Sequence, residues 1–190
     1  MPDAPSSTSR YLLVSDLDGT LLGDTPALER FAEWYEPRRE RLALAYSSGR
    51  LHGSMLGSIQ NSPLPEPNYV VSGVGTEIRT YGSDVAWADW HGHFADWSAK
   101  TVCSIIEEAF NLERQPEEFL SPWKVSYYAH DLSEAEVVRI AAKLESAGLR
   151  VRLIYSSARD LDILPAAAGK GGAARFLAQR EGFQRERLFG

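Results

Sequence analysis

The stretch that most constrains this chain is Tyr11–Leu22, YLLVSDLDGTLL. Tyr11, Leu12, Leu13 and Val14 make an apolar run short enough for a strand and continuous enough to be buried on both faces. The run stops at Ser15-Asp16, and a second acid, Asp18, follows two places on. Gly19 lets the backbone turn sharply, and Thr20 can hydrogen-bond its own loop. Carboxylates at i and i+2 of an extended chain point to the same side. An α/β protein places its chemistry just beyond the carboxyl end of such a strand. A bare D-x-D is common in solvated turns; D-x-D-G-T directly after a buried strand is a far more specific pattern.

The remaining sequence supplies what that strand needs around it. A chain of 190 residues fits one domain, or a core with a modest insertion, and 44% hydrophobic residues suffice for a packed interior. A net charge of −6 argues against nucleic acid or an anionic membrane as partner, so a phosphate ligand would have to be met by locally placed cations. The lone Cys103 forms no internal disulfide, which suits a reducing, cytoplasmic compartment, and beside Val102, Ile105 and Ile106 it reads as a small core residue. No apolar run approaches the roughly 18 residues of a membrane span. The first ten residues, MPDAPSSTSR, lack a hydrophobic signal core and read as a polar lead-in.

Leu28, Phe31, Ala32 and Tyr35 recur at helical spacing, predicting an amphipathic helix from about Pro26 until Pro37. Leu42–Tyr46 is a second buried strand, which makes a right-handed parallel β-α-β unit. It ends in Ser47-Ser48-Gly49-Arg50 ahead of another helix. A hydroxyl and a glycine N–H at such a junction suit a phosphate; a plain serine N-cap is the alternative. Arg50 is either a surface residue at the helix start or a substrate contact, and His52 reads as a solvated helix residue. Residues 61–67 form a proline-rich loop, and Tyr69–Val71 a third strand. Ser72–Ile78 has too few glycines for a dinucleotide fingerprint. It reads instead as a close backbone turn leading into a hairpin, Glu77–Tyr81, expected to turn at Gly82-Ser83-Asp84.

Trp87, Trp90, Phe94 and Trp97 fall near helical intervals and read as core or seam packing; His91 and His93 make no zinc site. A helix is expected over about 96–110, and a loop over 115–122. Trp123–Tyr128 alternates as a half-buried strand, with Lys124, Ser126 and Tyr128 on one face. Ser133-Glu134-Ala135-Glu136 resembles an incomplete capping box before a helix closed by Gly148. Val151–Tyr155 and Asp160–Leu164 are the last strands of this insertion. Gly169-Lys170-Gly171-Gly172 then opens an apolar helix, where a lysine between glycines suits an anion but does not make a P-loop.

The D-x-D-G-T, S-S-G-R and G-K-G-G segments together resemble the first three motifs of the haloacid dehalogenase superfamily of phosphohydrolases. Within it, Gly75-Thr76-Glu77-Ile78 is similar to a G-S-E-I stretch of the sucrose-phosphate phosphatase group, and Trp123-Lys124-Val125-Ser126-Tyr127 to its W-K-I-S-Y. The resemblance implies an α/β fold with a Rossmann-like parallel-sheet core and an inserted small α/β (type II) cap. The expected division is core at 1–83, cap at 84–160 and core again at 161–190. It implies a Mg²⁺-dependent sugar-phosphate phosphatase acting through an aspartyl-phosphate. Asp16 would be nucleophile, Asp18 acid and base, and Asp16 with Asp18 the metal ligands. Asp16, Ser48, Gly49 and Lys170 would hold the phosphoryl group. Arg50, Gly75, Thr76, Glu77, Lys124 and Ser126 would contact a sugar; Glu77 as an exposed hairpin acid and Lys124 and Ser126 as a solvated strand face are the plainer alternatives. The group's fourth motif, G-D-x-x-N-D, would begin at Gly190, its aspartates absent, so a truncated form of a longer enzyme is expected. A sugar phosphomutase, or a form that only binds, are the other readings. The expected partner is a small sugar phosphate, and the expected state a monomer or weak homo-oligomer.

Overall fold

The computed structural model describes residues 10–190; the polar lead-in, apart from Arg10, lies outside them. The chain divides into two compact units. Unit 1 runs to Trp90 and resumes at Lys170–Gly190, while unit 2 is His91–Gly169.

Unit 1 is a mixed sheet in the order β4-β3-β2-β1-β9. Its strands are β1 (Tyr11–Ser15), β2 (Leu42–Ser47), β3 (Tyr69–Ser72), β4 (Glu77–Thr80) and β9 (Leu188–Phe189). β1 pairs in parallel with both β2 and β9, and β2 with β3. The apolar runs of β1 and β2 become the sheet's middle because they tolerate burial on both faces. Helices α1 (Thr25–Tyr35), α2 (His52–Gln60) and α6 (Lys170–Arg180) belong to the same unit, as does most of the short α3 (Ala88–His91). Asp24, not anticipated from sequence, caps α1 by accepting from the Ala27 N–H, with Pro26 in the first turn. Leu17, Leu28, Tyr35, Leu44, Tyr46, Met55, Ile59 and Val70 make one core.

The hairpin differs from the sequence expectation. The close turn expected within Ser72–Ile78 is there, at Gly73–Thr76, but it joins β4 antiparallel to β3 and so is itself the hairpin's turn, in place of 82–84. Three successive positive φ values, 57° at Gly73, 59° at Val74 and 83° at Gly75, reverse the chain there.

Unit 2 carries a sheet in the order β5-β6-β8-β7, built from β5 (Glu113–Arg114), β6 (Val125–Tyr128), β7 (Val151–Ser156) and β8 (Asp160–Pro165). Helices α4 (Ala99–Ala109) and α5 (Glu134–Ser146) supply Val102, Ile106, Ile140 and Leu144 to its core, with Val125, Tyr127, Leu161 and Ile163 from the strands. Cys103 packs at the edge of that core, half-buried. Helix α4 starts later than 96 because Ser98 caps it by accepting from the Thr101 N–H. The capping box of α5 is complete: Ser133 Oγ accepts from the Glu136 N–H, and the Glu136 carboxylate accepts from the Ser133 N–H. Counted from Ser133 as cap, Glu136 stands at the third helical position the motif requires.

The unit boundaries also move from the 84 and 160 expected above. β8 is hydrogen-bonded between β6 and β7, so residues 161–169 belong to unit 2. The Trp87 N–H donates to the Ile78 carbonyl, and the Trp90 indole to the Gly75 carbonyl, which ties 84–90 to unit 1. Among the described residues no helix is long and apolar enough to cross a membrane.

Candidate active site

The site is built at the carboxyl ends of β1 and β2. Leu17 is fully buried in the core of unit 1, so the acids on either side of it turn the other way, as their i, i+2 spacing requires. Asp16 Oδ1 accepts from the Leu17 N–H at 2.8 Å. Its Oδ2 receives Lys170 Nζ at 2.7 Å from the first residue of α6. The first and third sequence motifs thus meet as one ion pair, with both side chains partly open to solvent.

Asp18 has different partners. Arg50 holds it through Nε, at 3.1 and 2.9 Å from its two oxygens, and through Nη2 at 2.5 Å. Ser48 Oγ donates to Asp18 Oδ2 at 3.2 Å and accepts the Arg50 N–H at 3.1 Å. The Arg50 guanidinium, ahead of smaller contributions from Ser48 and Lys170, holds the Asp18 carboxyl below the usual carboxylate value against a partial opposing effect of burial. Arg50 is raised in return by the same contact. Ser48, fully buried, therefore lies beside Asp18; Asp16 is held by Lys170. Arg50 is neither a plain surface residue nor open for a ligand in this state.

Backbone bonds lock this loop to the hairpin turn. The Ser48 N–H donates to the Val71 carbonyl, the Val74 N–H to the Ser48 carbonyl and the Gly73 N–H to the Arg50 carbonyl. A methyl group built on Gly49 would meet only Val74 Cγ2, at 3.8 Å, so steric crowding does not explain that glycine.

The expected sugar contacts are engaged internally. Gly75 offers its carbonyl to Trp90. Thr76 is fully buried, and its Oγ1 donates to the Gly73 carbonyl within the turn. Glu77 is no exposed hairpin acid: its Oε2 pairs with Arg79 at 3.2 Å, and both side chains are mostly buried. In unit 2, Lys124 and Ser126 do not form a solvated face. Lys124 Nζ reaches Ser126 Oγ at 2.8 Å and Asp162 Oδ1 at 3.0 Å, and Ser126 Oγ donates to Asp162 Oδ1 at 2.6 Å.

Sequence reasoning missed two of these partners. Ser58 Oγ accepts from Arg50 Nη1 at 2.7 Å, which anchors the far side of the guanidinium to α2. Its separation of eight residues, about two helical turns, was a usable signal. Asp162 meets Ser126 only because β6 and β8 pair in the register Ser126↔Asp162, and no local pattern encodes that.

Comparison with known proteins identifies the chain's relatives. The family described as Sucrose-6F-phosphate phosphohydrolase matches residues 9–189. A mannosylfructose-phosphate phosphatase of Agrobacterium fabrum is 35% identical over 169 residues, which is 87% of this chain and 68% of that protein. Sucrose-phosphatase 1 of Nicotiana tabacum is 35% identical over 94% of this chain, but the chain spans only 44% of its length. The solved sucrose-phosphatase of Synechocystis sp. PCC6803, determined with sucrose and phosphate, superposes with a TM-score of 0.86 at 30% identity, covering 95% of this chain and 74% of that one. Haloacid dehalogenase-like hydrolases at 14–17% identity share the fold. The D-x-D-G-T strand end, its lysine from α6 and this similarity along nearly the whole chain together show that the protein belongs to the sucrose-6F-phosphate phosphohydrolase family of phosphoric monoester hydrolases.

Proposed function

We propose that this chain is a sugar-phosphate phosphatase whose substrate is a phosphorylated disaccharide such as sucrose-6-phosphate or mannosylfructose-phosphate. The observation that carries the reading is the Asp16–Lys170 pair at the tip of β1, 2.7 Å apart. A carboxylate held by a lysine at a helix start is positioned to attack a phosphorus whose oxygens the same lysine neutralises.

In the first half-reaction Asp16 Oδ forms a bond to phosphorus as the ester P–O bond breaks. Asp18 gives its proton to the departing sugar oxygen. In the second, Asp18 takes a proton from water as that water attacks the aspartyl-phosphate, releasing phosphate and restoring Asp16. Ser48 and the Gly49 N–H meet the equatorial oxygens together with Lys170. The Arg50 contact favours the ionised Asp18 before substrate arrives, so Asp18 takes up the proton it donates from solvent once Arg50 has released it. The first step therefore needs Arg50 to move from Asp18 toward the incoming anion.

The family resemblance also implies Mg²⁺. Among the described residues no three His, Cys, Asp or Glu side chains cluster as metal ligands. The part-exposed Asp16 carboxylate and the Asp18 main-chain carbonyl fit an ion held by one or two carboxylates, phosphate oxygens and water. Bound there, Mg²⁺ would supply further neutralisation of the phosphoryl charge. The test is a phosphate-release screen over mono- and disaccharide phosphates, with and without Mg²⁺. Net release from a disaccharide phosphate, without a bisphosphate activator, is the expected result. Isomerisation without release, or no turnover of any sugar phosphate, would overturn it.

A further inference from the structure

Within unit 2, one polar strip of α4 borders a pocket of about 520 Å³. Lys100, Cys103, Ser104 and Glu107 line it from the helix, at the three- and four-residue spacing that shares one face. Arg114 of β5 and Lys124, just before β6, supply the rest of its charge. Cys103 is half-buried, and its sulfur lies 3.7 Å from Arg114 Nη1. The buried Tyr127 hydroxyl faces the same sulfur and has no hydrogen-bond partner of good geometry among the described residues. A buried hydroxyl in that state is uncommon and calls for an explanation. Burial, ahead of the neighbouring sulfur, pushes the Tyr127 hydroxyl above its ordinary value, so it stays an O–H donor. A thiol is a weak acceptor, whereas a thiolate, the nucleophilic form, carries a full negative charge. Two donors on different elements therefore face one sulfur. Glu107 lies 3.7 Å from Arg114, and Asp162 offsets Lys124, which leaves the Lys100 ammonium as surplus positive charge on the wall.

We propose that Cys103 is a modification site for a small disulfide that carries carboxylates, of the oxidised glutathione class. The Cys103 thiolate attacks one sulfur of the reagent and the S–S bond breaks. A mixed disulfide forms at Cys103, and the other half leaves as a thiolate and takes a proton from solvent. The reagent is itself the oxidant, so no further co-reactant enters. Tyr127 and Arg114 stabilise the attacking thiolate. Lys100 and Arg114 receive a carboxylate of the incoming peptide. The pocket's 520 Å³ falls within the roughly 300–1,000 Å³ of small-ligand sites, so the bound half can lie along α4. Neither Asp16 nor Lys170 takes part, and the adduct forms whether or not the chain turns over a sugar phosphate.

Cys103 is the chain's one cysteine, so the mass of the intact protein counts the adduct directly. The test incubates the intact chain with oxidised glutathione or with cystamine, a cationic disulfide, and follows both by mass spectrometry over time. Relative to the same chain in urea, the folded protein should favour oxidised glutathione over cystamine by about tenfold. Its net charge of −6 acts the other way, so the preference reports the local cations. Lys100→Gln and Arg114→Gln should each remove part of that preference, and Arg114→Lys should keep most of it. Tyr127→Phe should slow both reagents by about threefold or more, the loss of one hydrogen bond to the thiolate. Dithiothreitol should restore the unmodified mass, and circular dichroism checks that each variant stays folded. An adduct that forms only in urea would overturn the proposal. So would a folded chain with no preference for oxidised glutathione, or one whose rates ignore Arg114→Gln and Tyr127→Phe.

Discussion

Lys170 Nζ sits 2.7 Å from Asp16 Oδ2, although 154 positions of sequence separate the two residues. The pair forms because β1 and the start of α6 belong to one unit, interrupted by the whole of unit 2. Removing the lysine leaves a nucleophile without its counter-charge. Lys170→Gln should lower sugar-phosphate turnover by about a hundredfold or more, with unfolding curves close to wild type because both side chains are partly solvated. Asp16→Asn should abolish turnover. Steady-state kinetics on both variants checks this; near-normal hydrolysis by Asp16→Asn would refute the assigned nucleophile.

Arg50 gives a pH prediction with a definite sign. It lowers Asp18 from an ordinary value of 3.8. A carboxylate lowered in the folded state stabilises the fold fully above its unfolded value, and that contribution is lost as pH falls through the folded value. In Arg50→Gln, Asp18 should titrate at a higher pH than in wild type, and the acid side of the stability profile should lose this contribution. Carbon-detected NMR of the Asp18 carboxyl follows the shift directly. Equal midpoints in the two proteins would show that the contact does not persist in solution.

Gly73 tests the hairpin turn. At φ 57° a side chain is strained, and a methyl group there would collide with Thr76 Oγ1. Gly73→Ala should cost about 1–3 kcal/mol in urea unfolding. Because the Gly73 N–H also donates to the Arg50 carbonyl, turnover should fall along with stability.

In unit 2, Lys124 and Asp162 are an ion pair with side chains 6% and 19% exposed. Asp162→Ala strands a buried ammonium and should cost about 3 kcal/mol or more. The double variant Lys124→Met, Asp162→Leu should recover much of that loss, because the uncompensated charge is gone. Chemical denaturation of wild type, Lys124→Met, Asp162→Leu and the double variant in a double-mutant cycle measures the coupling.

What the sequence disclosed was set by how local each feature is. The apolar runs of β1 and β2 announced a buried parallel sheet, since no other element needs them. The strand-end acids and Lys170 announced a site because chemistry-bearing residues stood at element ends. Turns are legible at both Gly73 and Gly82, but only the β3–β4 pairing shows that the first of them closes the hairpin. Lys124 and Ser126 were read as one polar strand face, which their alternation supports. Their burial depends on Asp162, brought in by strand pairing across 36 positions from Ser126. Arg50 was legible as a cation near the site, but its grip on Asp18 is a three-dimensional fact.

The interruption of unit 1 has a bearing on how the protein is made. On the ribosome, His91–Gly169 emerges as a contiguous piece before Lys170 does. That piece can therefore condense while the earlier sheet still lacks α6 and β9. Asp16 waits for its counter-ion until the whole of unit 2 and then Lys170 have been translated, so a nascent chain cannot acquire the paired nucleophile early.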